Sequence, residues 1–279
     1  MTTTRQSPRT TLVLGGTGKT GRRVAARLAA RGHRVRIGSR RGEPPFDWAD
    51  PAGWRAVLRG VGAAYVAYYP DLAFPGAAAR IGALAGLAVD EGVDRLVLLS
   101  GRGEEEALVS EQALRAAGGD WTVVRSSWFA QNFSEHFLLD PVLAGEIALP
   151  AGEVAEPFVD LDDVADVAVA ALTGEASTGE VYEVTGPRLL TFHDAAAEIS
   201  RATGREVRYV PVTAAEYAAA ATGHGVPAEE ADGLADLFTR VLDGRNAHLT
   251  DGVCRALGRA PREFADYVRA AAAAGVWER

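Results

Sequence analysis

Residues 11–21 read TLVLGGTGKTG, and this stretch constrains the fold more than any other. Leu12, Val13 and Leu14 run directly into Gly15, Gly16 and Thr17. After Gly18, Lys19, Thr20 and Gly21 an apolar pattern resumes at helical spacing with Val24, Ala25, Leu28 and Ala29. That order predicts a strand, a tight glycine turn and a helix. Gly15 supplies the positive φ of a sharp turn, Gly18 lets the backbone approach a phosphate, and Gly21 lets helix and strand pack closely. The free N–H groups of the new helix favour an anion, so the expected ligand is a dinucleotide pyrophosphate. Gly18-Lys19-Thr20 also resembles the end of a Walker A loop. That loop requires glycine at position 13, where Val13 lies inside the strand, so the P-loop is rejected.

Cofactor choice is read at the end of the second strand, Arg34–Ser39, whose Val35 and Ile37 alternate with polar neighbours. An acid about 20 residues after the glycines selects the ribose 2′-hydroxyl of NAD. Here the chain reads Ser39, Arg40, Arg41. A guanidinium pairs with a 2′-phosphate, so the expected cofactor is NADPH.

Downstream, strand and helix patterns alternate. Phe46-Asp47-Trp48 is expected as a short edge strand, and Asp50-Pro51 opens a helix through Leu58. A strand Ala63–Tyr69, a helix Leu72–Glu91, a strand Arg95–Leu99, a helix Glu104–Ala117 and a strand Trp121–Arg125 follow. The fold class is therefore α/β, a doubly wound parallel sheet with ligands at the carboxyl ends of its strands. Tyr68, Tyr69, Ser100, Gly101, Ser126 and Ser127 stand at those ends. Beyond Trp128 the pattern loosens. PVLAGEIALPAG is expected as a hairpin or loop, PFVD as a short strand, and helices at Asp162–Leu172, Thr191–Thr203 and Pro261–Ala274. The YEVT strand is expected to return to the large sheet. The domain expectation is 1–134, with 155–185, for the dinucleotide-binding domain and 135–279 for a smaller, partly interleaved substrate or lid domain.

Composition excludes several classes. Net charge is −8 and no dense basic run occurs, which argues against nucleic-acid binding. No apolar run has the length of a membrane span, and Met1–Thr10 reads as a polar tail rather than a signal peptide. The one cysteine, Cys254, forms no internal disulfide, which fits a cytoplasmic setting. The five histidines show no metal-ligand spacing, so no metal is expected. Asp162, Asp163 and Asp166 read as a helix cap and a solvated face. A homodimer is left open.

The stretches LGGTGKTGRRVA, GHRVRIGSR, FDW, LVLLS, WTVVRSSWFAQNFSE, FVDLDDVADVA and YEVTGPRLLTF jointly resemble the NmrA-like atypical short-chain dehydrogenase/reductases, in the branch of the ergot alkaloid reductases. They span roughly positions 11 to 210; the last 70 residues carry less signal. The resemblance implies an extended Rossmann fold with NADP contacts at Gly15, Thr17, Gly18, Lys19, Thr20, Ser39, Arg40 and Ser100; Tyr68 joins this set from its place at a strand end. It also implies that Trp128, Phe129 and Asn132 line the substrate side of the nicotinamide. Ordinary members of the superfamily donate a proton from Tyr-x-x-x-Lys. Matching Glu111, Leu114 and Gly118 to that helix puts Gly103 and Ala107 where the pair would stand.

Reducing a ketone builds an alkoxide that needs a proton donor, whereas an iminium already carries its charge. The expected activity is hydride transfer from NADPH to an iminium, quinone or conjugated carbonyl in secondary metabolism. The substrate is expected to be small, flat, and apolar or cationic, cradled by aromatic residues. Trp128, Asn132 and His136 are the candidate catalytic residues, with His136 the available acid. The alternative is a non-enzymatic NADP sensor that binds a protein partner, as the founding member of the family does.

Overall fold

The computed structural model describes residues 9–278. Ten strands occur among the described residues: β1 Thr10–Leu14, β2 Val35–Gly38, β3 Val61–Val66, β4 Arg95–Gly101, β5 Asp120–Ser126, β6 Glu146–Leu149, β7 Ala155–Glu156, β8 Glu180–Val184, β9 Leu190–Thr191 and β10 Arg208–Pro211. Two compact units form. The first holds the residues up to Ser126, Leu161–Val184 and Asp251–Arg259; the second holds Ser127–Asp160, Thr185–Thr250 and the chain from Ala260.

The first unit is one six-stranded sheet in the order β2-β1-β3-β4-β5-β8, parallel throughout. Its strands are apolar runs such as Leu12, Val13 and Leu14, all fully buried, as expected where helices cover both faces. Helix Lys19–Ala30 packs on helix Leu161–Thr173, and helix Ala77–Asp90 packs on helix Glu105–Ala116. The order reverses between β1 and β3, which makes the carboxyl ends of those strands the switch point where such sheets bind ligands. YEVT returns to this sheet as β8, paired along β5.

The second unit gathers around an aromatic core of Phe133, Phe158, Phe192, Phe264 and Trp277. Two small sheets edge it, β6 with β10 in parallel and β7 with β9 antiparallel. The crossing between units falls after Ser126 rather than at 134. The segment Asp251–Arg259, absent from the expected first domain, belongs to it because helix Gly252–Leu257 packs on β8. Gly252 permits that approach: a Cβ there would lie 2.1 Å from the Glu183 carbonyl oxygen.

Several expectations need correction. Phe46-Asp47-Trp48 forms no strand. Its rings pack inward instead, Phe46 stacking on Trp54 at 6.1 Å, while the Trp54 indole donates to the Asp47 carbonyl at 2.7 Å. The helix after Asp50 is a 3₁₀ turn, Pro51–Gly53, joined to an α-helix, Trp54–Leu58. β3 runs from Val61 to Val66, so Tyr68 and Tyr69 lie in a loop. The helix expected from Leu72 starts at Ala77, after Pro75 and Gly76, whose φ of 86° breaks the pattern. The final helix starts at Phe264, not Pro261. PVLAGEIALPAG is not a hairpin. Leu139–Ala144 is helical, Gly145 turns at φ 88°, and β6 pairs with the distant β10 because Ile147 and Leu149 bury against the second core. PFVD contributes one isolated bridge, Val159 to Phe129. Asp163 is fully buried and pairs with Arg259 at 2.7 Å, while Asp162 and Asp166 pair with Arg27, so this helix face is ionically tied rather than solvated. Residues 1–8 of the expected tail lie outside the described residues. Thr10 opens β1, and Arg9 donates to Asp94 and to the Val61 carbonyl at 2.9 Å each.

Candidate cofactor and active site

The glycine turn leaves β1 through Gly15, at φ 68°, whose N–H donates to the Gly38 carbonyl at 3.2 Å. A Cβ at Gly15 would lie 3.1 Å from the Ala67 Cβ, so the ends of β1, β2 and β3 meet at this residue. At Gly21 a Cβ would fall 2.2 Å from the Gly15 carbonyl oxygen, which only backbone movement could relieve. At Gly18 the sole neighbour would be that same oxygen at 3.2 Å. The two glycines therefore serve different ends. Gly21 closes the turn onto the helix, and Gly18 leaves exposed space in front of it. Gly18 is the N-cap of helix Lys19–Ala30, and no side chain caps that end. Thr17 is exposed beside Gly18, Lys19 is half-buried and Thr20 is buried. A helix N-terminus without a side-chain cap, preceded by exposed residues, suits a pyrophosphate.

Below the turn, the Tyr65 ring is fully buried in β3. Burial pushes its phenol well above the ordinary value, opposed by the Thr20 hydroxyl. Ser39 follows β2, and its carbonyl accepts from Gly42 and Phe46 N–H at 2.9 and 2.8 Å. This ties down the loop that carries Arg40 and Arg41. Both arginines are exposed, and neither makes an ion pair with a described residue. Tyr68 leans on Trp48 at 4.8 Å, and its hydroxyl accepts from Arg80 at 3.1 Å. The structure thus brings Gly15–Thr20, Ser39, Arg40, Tyr68 and Ser100 to the carboxyl ends of four neighbouring strands.

Ser100, the last residue but one of β4, lies within a buried charged network. Its hydroxyl donates to Glu111 Oε1 at 2.7 Å. Glu111, itself 1 % exposed, accepts from Arg125 Nε at 2.9 Å and Nη2 at 2.6 Å. Arg125 reaches Glu183 at 3.3 Å, and Glu183 holds Arg102 at 2.6 Å. The hydrogen bond to Glu111 is the first cause holding the Arg125 guanidinium above its ordinary value. Sequence reasoning missed this network. The signal was present in the helix: Ala107, Ser110, Glu111 and Leu114 share its buried face, so Glu111 was the one acid at an apolar position. It also missed Asp71, after β3, whose carboxyl is pushed up by burial against backbone N–H bonds from Ala73 and Leu72.

In the second unit, Trp128–Ala130 runs beside Val159. The Val159 N–H donates to the Trp128 carbonyl and the Ala130 N–H to the Val159 carbonyl, each at 2.8 Å. The half-buried Trp128 ring meets Phe137, Phe192 and Phe238 at 6.1, 5.8 and 5.6 Å. Phe133 is core, fully buried. The short helix Asn132–Glu135 is fixed from several sides: Gln131 donates to Asp160 at 2.7 Å, Tyr267 to Ser134 at 2.7 Å, and the Trp277 indole to the Phe133 carbonyl at 2.9 Å. Asn132 is buried, whereas His136 is exposed with its ring edge-on to Phe137.

A parallel sheet with this order, and a glycine turn leading into a helix at its switch point, define a Rossmann-type dinucleotide-binding fold. No protein-family model matches the chain. It is similar to agroclavine dehydrogenase of Claviceps fusiformis, 32% identical over 277 residues that span 93% of this chain and 96% of the relative. It is also similar to the (4-alkanoyl-5-oxo-2,5-dihydrofuran-3-yl)methyl phosphate reductase of Streptomyces griseus, 34% identical over 92% of this chain and 95% of the relative. The Citrobacter sp. triphenylmethane reductase complexed with NADP(H) shares the fold, with a TM-score of 0.74 and 21% identity over 94% of this chain and 99% of that one. The chain belongs to the NmrA-like atypical short-chain dehydrogenase/reductases, close to the ergot alkaloid reductases, and is an oxidoreductase. No helix among the described residues is long and apolar enough to cross a membrane.

Proposed function

We propose that this protein is an NADPH-dependent reductase of an iminium, quinone or conjugated carbonyl, acting without a Tyr-x-x-x-Lys acid. One observation carries the reading. Lys19 is the only lysine in the chain, and Gly15 stands four residues before it, so Tyr-x-x-x-Lys occurs nowhere. Gly103 and Ala107 occupy the places of the pair, and helix Glu105–Ala116 contains neither residue type. Bound NADPH supplies the hydride. Gly15–Thr20 hold the pyrophosphate on the helix N-terminus, and Ser39 with Arg40 receive the 2′-phosphate.

The substrate side falls to the residues that directly follow β5. Trp128 and Phe129 hold a flat apolar or cationic molecule, and the Asn132 amide orients a polar atom on it. With no strong acid at hand, acceptors that stabilise their own developing charge react, and an unactivated ketone does not. The relatives' printed substrates, a clavine alkaloid and an unsaturated lactone, support acceptors of this kind. The test measures NADPH oxidation with a cyclic iminium, a quinone, an enone and an aliphatic ketone. The first three are expected to turn over. Asn132→Ala should lower kcat more than NADPH affinity, and Trp128→Ala should raise KM. Rapid reduction of the aliphatic ketone would overturn the reading and make His136 the first acid to examine.

A further inference from the structure

We propose that Glu111 is a positioning residue for the cofactor, acting through Ser100: it takes the Ser100 proton and leaves that hydroxyl as a pure hydrogen-bond acceptor. The inference rests on the reading that the dinucleotide lies against the carboxyl end of β4.

A serine hydroxyl has one proton and two lone pairs. The Ser100 proton is committed to Glu111 Oε1 at 2.7 Å. Glu111 cannot reverse the bond, because a carboxylate only accepts, and both its oxygens already face Arg125 donors at 2.9 and 2.6 Å. What Ser100 offers a ligand is therefore lone pairs alone. The groups on a nicotinamide nucleotide that answer lone pairs are its carboxamide N–H and its ribose hydroxyls. A substrate oxygen that needs a proton finds none at Ser100.

Replacing both members of a buried ion pair by apolar residues of similar volume is often no less stable, so packing alone does not call for the pair. What Glu111 adds is a direction for the Ser100 proton, and Arg125 in turn fixes the carboxylate plane. Gln at 111 keeps this bond in one orientation, because its carbonyl oxygen at the Oε1 position still accepts from the Ser100 hydroxyl while its N–H₂ faces Arg125 Nη2. Leu at 111 removes the acceptor outright.

The experiment is a double-mutant cycle on NADPH affinity, read by cofactor fluorescence, with thermal melts to show that each variant folds. Ser100→Ala and Glu111→Leu are each expected to weaken NADPH binding by about fivefold, the scale of one net hydrogen bond. The double variant should bind no more weakly than either single one, since both remove the same contact. If Glu111→Leu does not fold, Glu111→Asp keeps the charge beside Arg125 but withdraws it from Ser100, and the same non-additive loss is expected. Ser100→Ala binding NADPH like the native protein would remove the cofactor from Ser100 and overturn the underlying reading. A loss with Ser100→Ala but none at position 111, or losses that multiply in the double variant, would leave that reading standing and overturn the role of Glu111.

Discussion

Arg125 donates to both oxygens of Glu111, through Nε at 2.9 Å and Nη2 at 2.6 Å, and joins β5 to the helix that follows β4. Glu111 is 2 % exposed at its side chain and Arg125 20 %. A pair this buried is costly to break from one side, because the partner stays desolvated and uncompensated. Arg125→Ala is expected to destabilise the fold by about 3–5 kcal/mol, measured by urea denaturation. A loss below about 1 kcal/mol, the scale of an exposed pair, would mean that water reaches Glu111 freely.

Gly18 and Gly21 should fail differently. Gly18→Val places a side chain in the exposed space before the helix, where the protein itself offers only the Gly15 carbonyl oxygen at 3.2 Å. NADPH binding should be lost with little change in melting temperature. Gly21→Val drives its Cβ onto the Gly15 backbone at 2.2 Å and should lower the melting temperature markedly. Equal melting temperatures for the two variants would refute this division of roles.

The contrast between those glycines shows what the sequence disclosed. Local chemistry made the turn, the parallel sheet and the place of Ser39, Arg40 and Ser100 legible, because apolar periodicity and glycine spacing act within a few residues. Long-range partnerships were not legible. Nothing near Glu146 announces that it pairs with Arg208, and nothing near Asp251 announces a return to β8. Phe46-Asp47-Trp48 read as a strand because aromatic residues favour sheets, but tertiary packing on Trp54 outweighed that preference. Trp128 shows the limit at the site itself. Its position after β5 was readable, whereas its three ring partners come from Phe137, Phe192 and Phe238, two of them more than 60 residues away.

The capping box of helix Phe192–Thr203 gives a pH-dependent signature. Asp194 accepts from the Thr191 side chain at 2.7 Å and its backbone N–H at 2.9 Å, and these bonds hold its carboxyl below the usual range. A carboxyl depressed in the folded state stabilises the fold above its unfolded pKa of about 3.9, and that contribution is lost as pH falls through the folded value. The native protein should therefore be more stable than Asp194→Asn at pH 7, with the two curves converging as pH falls below the ordinary carboxylate range. A constant gap across that range, in denaturant melts, would remove the carboxylate from the cap. Thr191→Ala should cost about 1 kcal/mol, the usual loss of an N-cap oxygen.

A single lysine makes the glycine turn directly observable. Lys19 follows Gly18 as the first residue of the helix. If the pyrophosphate sits on that helix end, NADPH should slow acylation of Lys19 by an amine-reactive reagent at least several-fold. Mass spectrometry of the one lysine-bearing peptide reads the rate without interference from other lysines. Unchanged acylation at saturating NADPH would place the phosphates elsewhere.

Cofactor choice turns on Arg40 and Arg41. Both are exposed, lack ion-pair partners among the described residues, and follow Ser39 on a loop held by the Gly42 and Phe46 N–H bonds. Guanidinium groups on a tied loop and without a carboxylate partner among the described residues are available to a phosphate dianion, and the fork geometry suits two of its oxygens. NADH carries a hydroxyl at that position and gains nothing from the charge. The native protein should therefore bind NADPH at least tenfold more tightly than NADH by calorimetry, a gap of about 1.4 kcal/mol. Arg40→Glu replaces attraction by repulsion, and should cost NADPH about 1.5–3 kcal/mol while leaving NADH nearly unchanged. The preference should also shrink as salt rises, since exposed charges are screened over about 10 Å at 0.1 M. Equal affinity of the native protein for the two cofactors at low salt would show that the arginines are solvated surface residues and that the 2′-phosphate lies outside their reach.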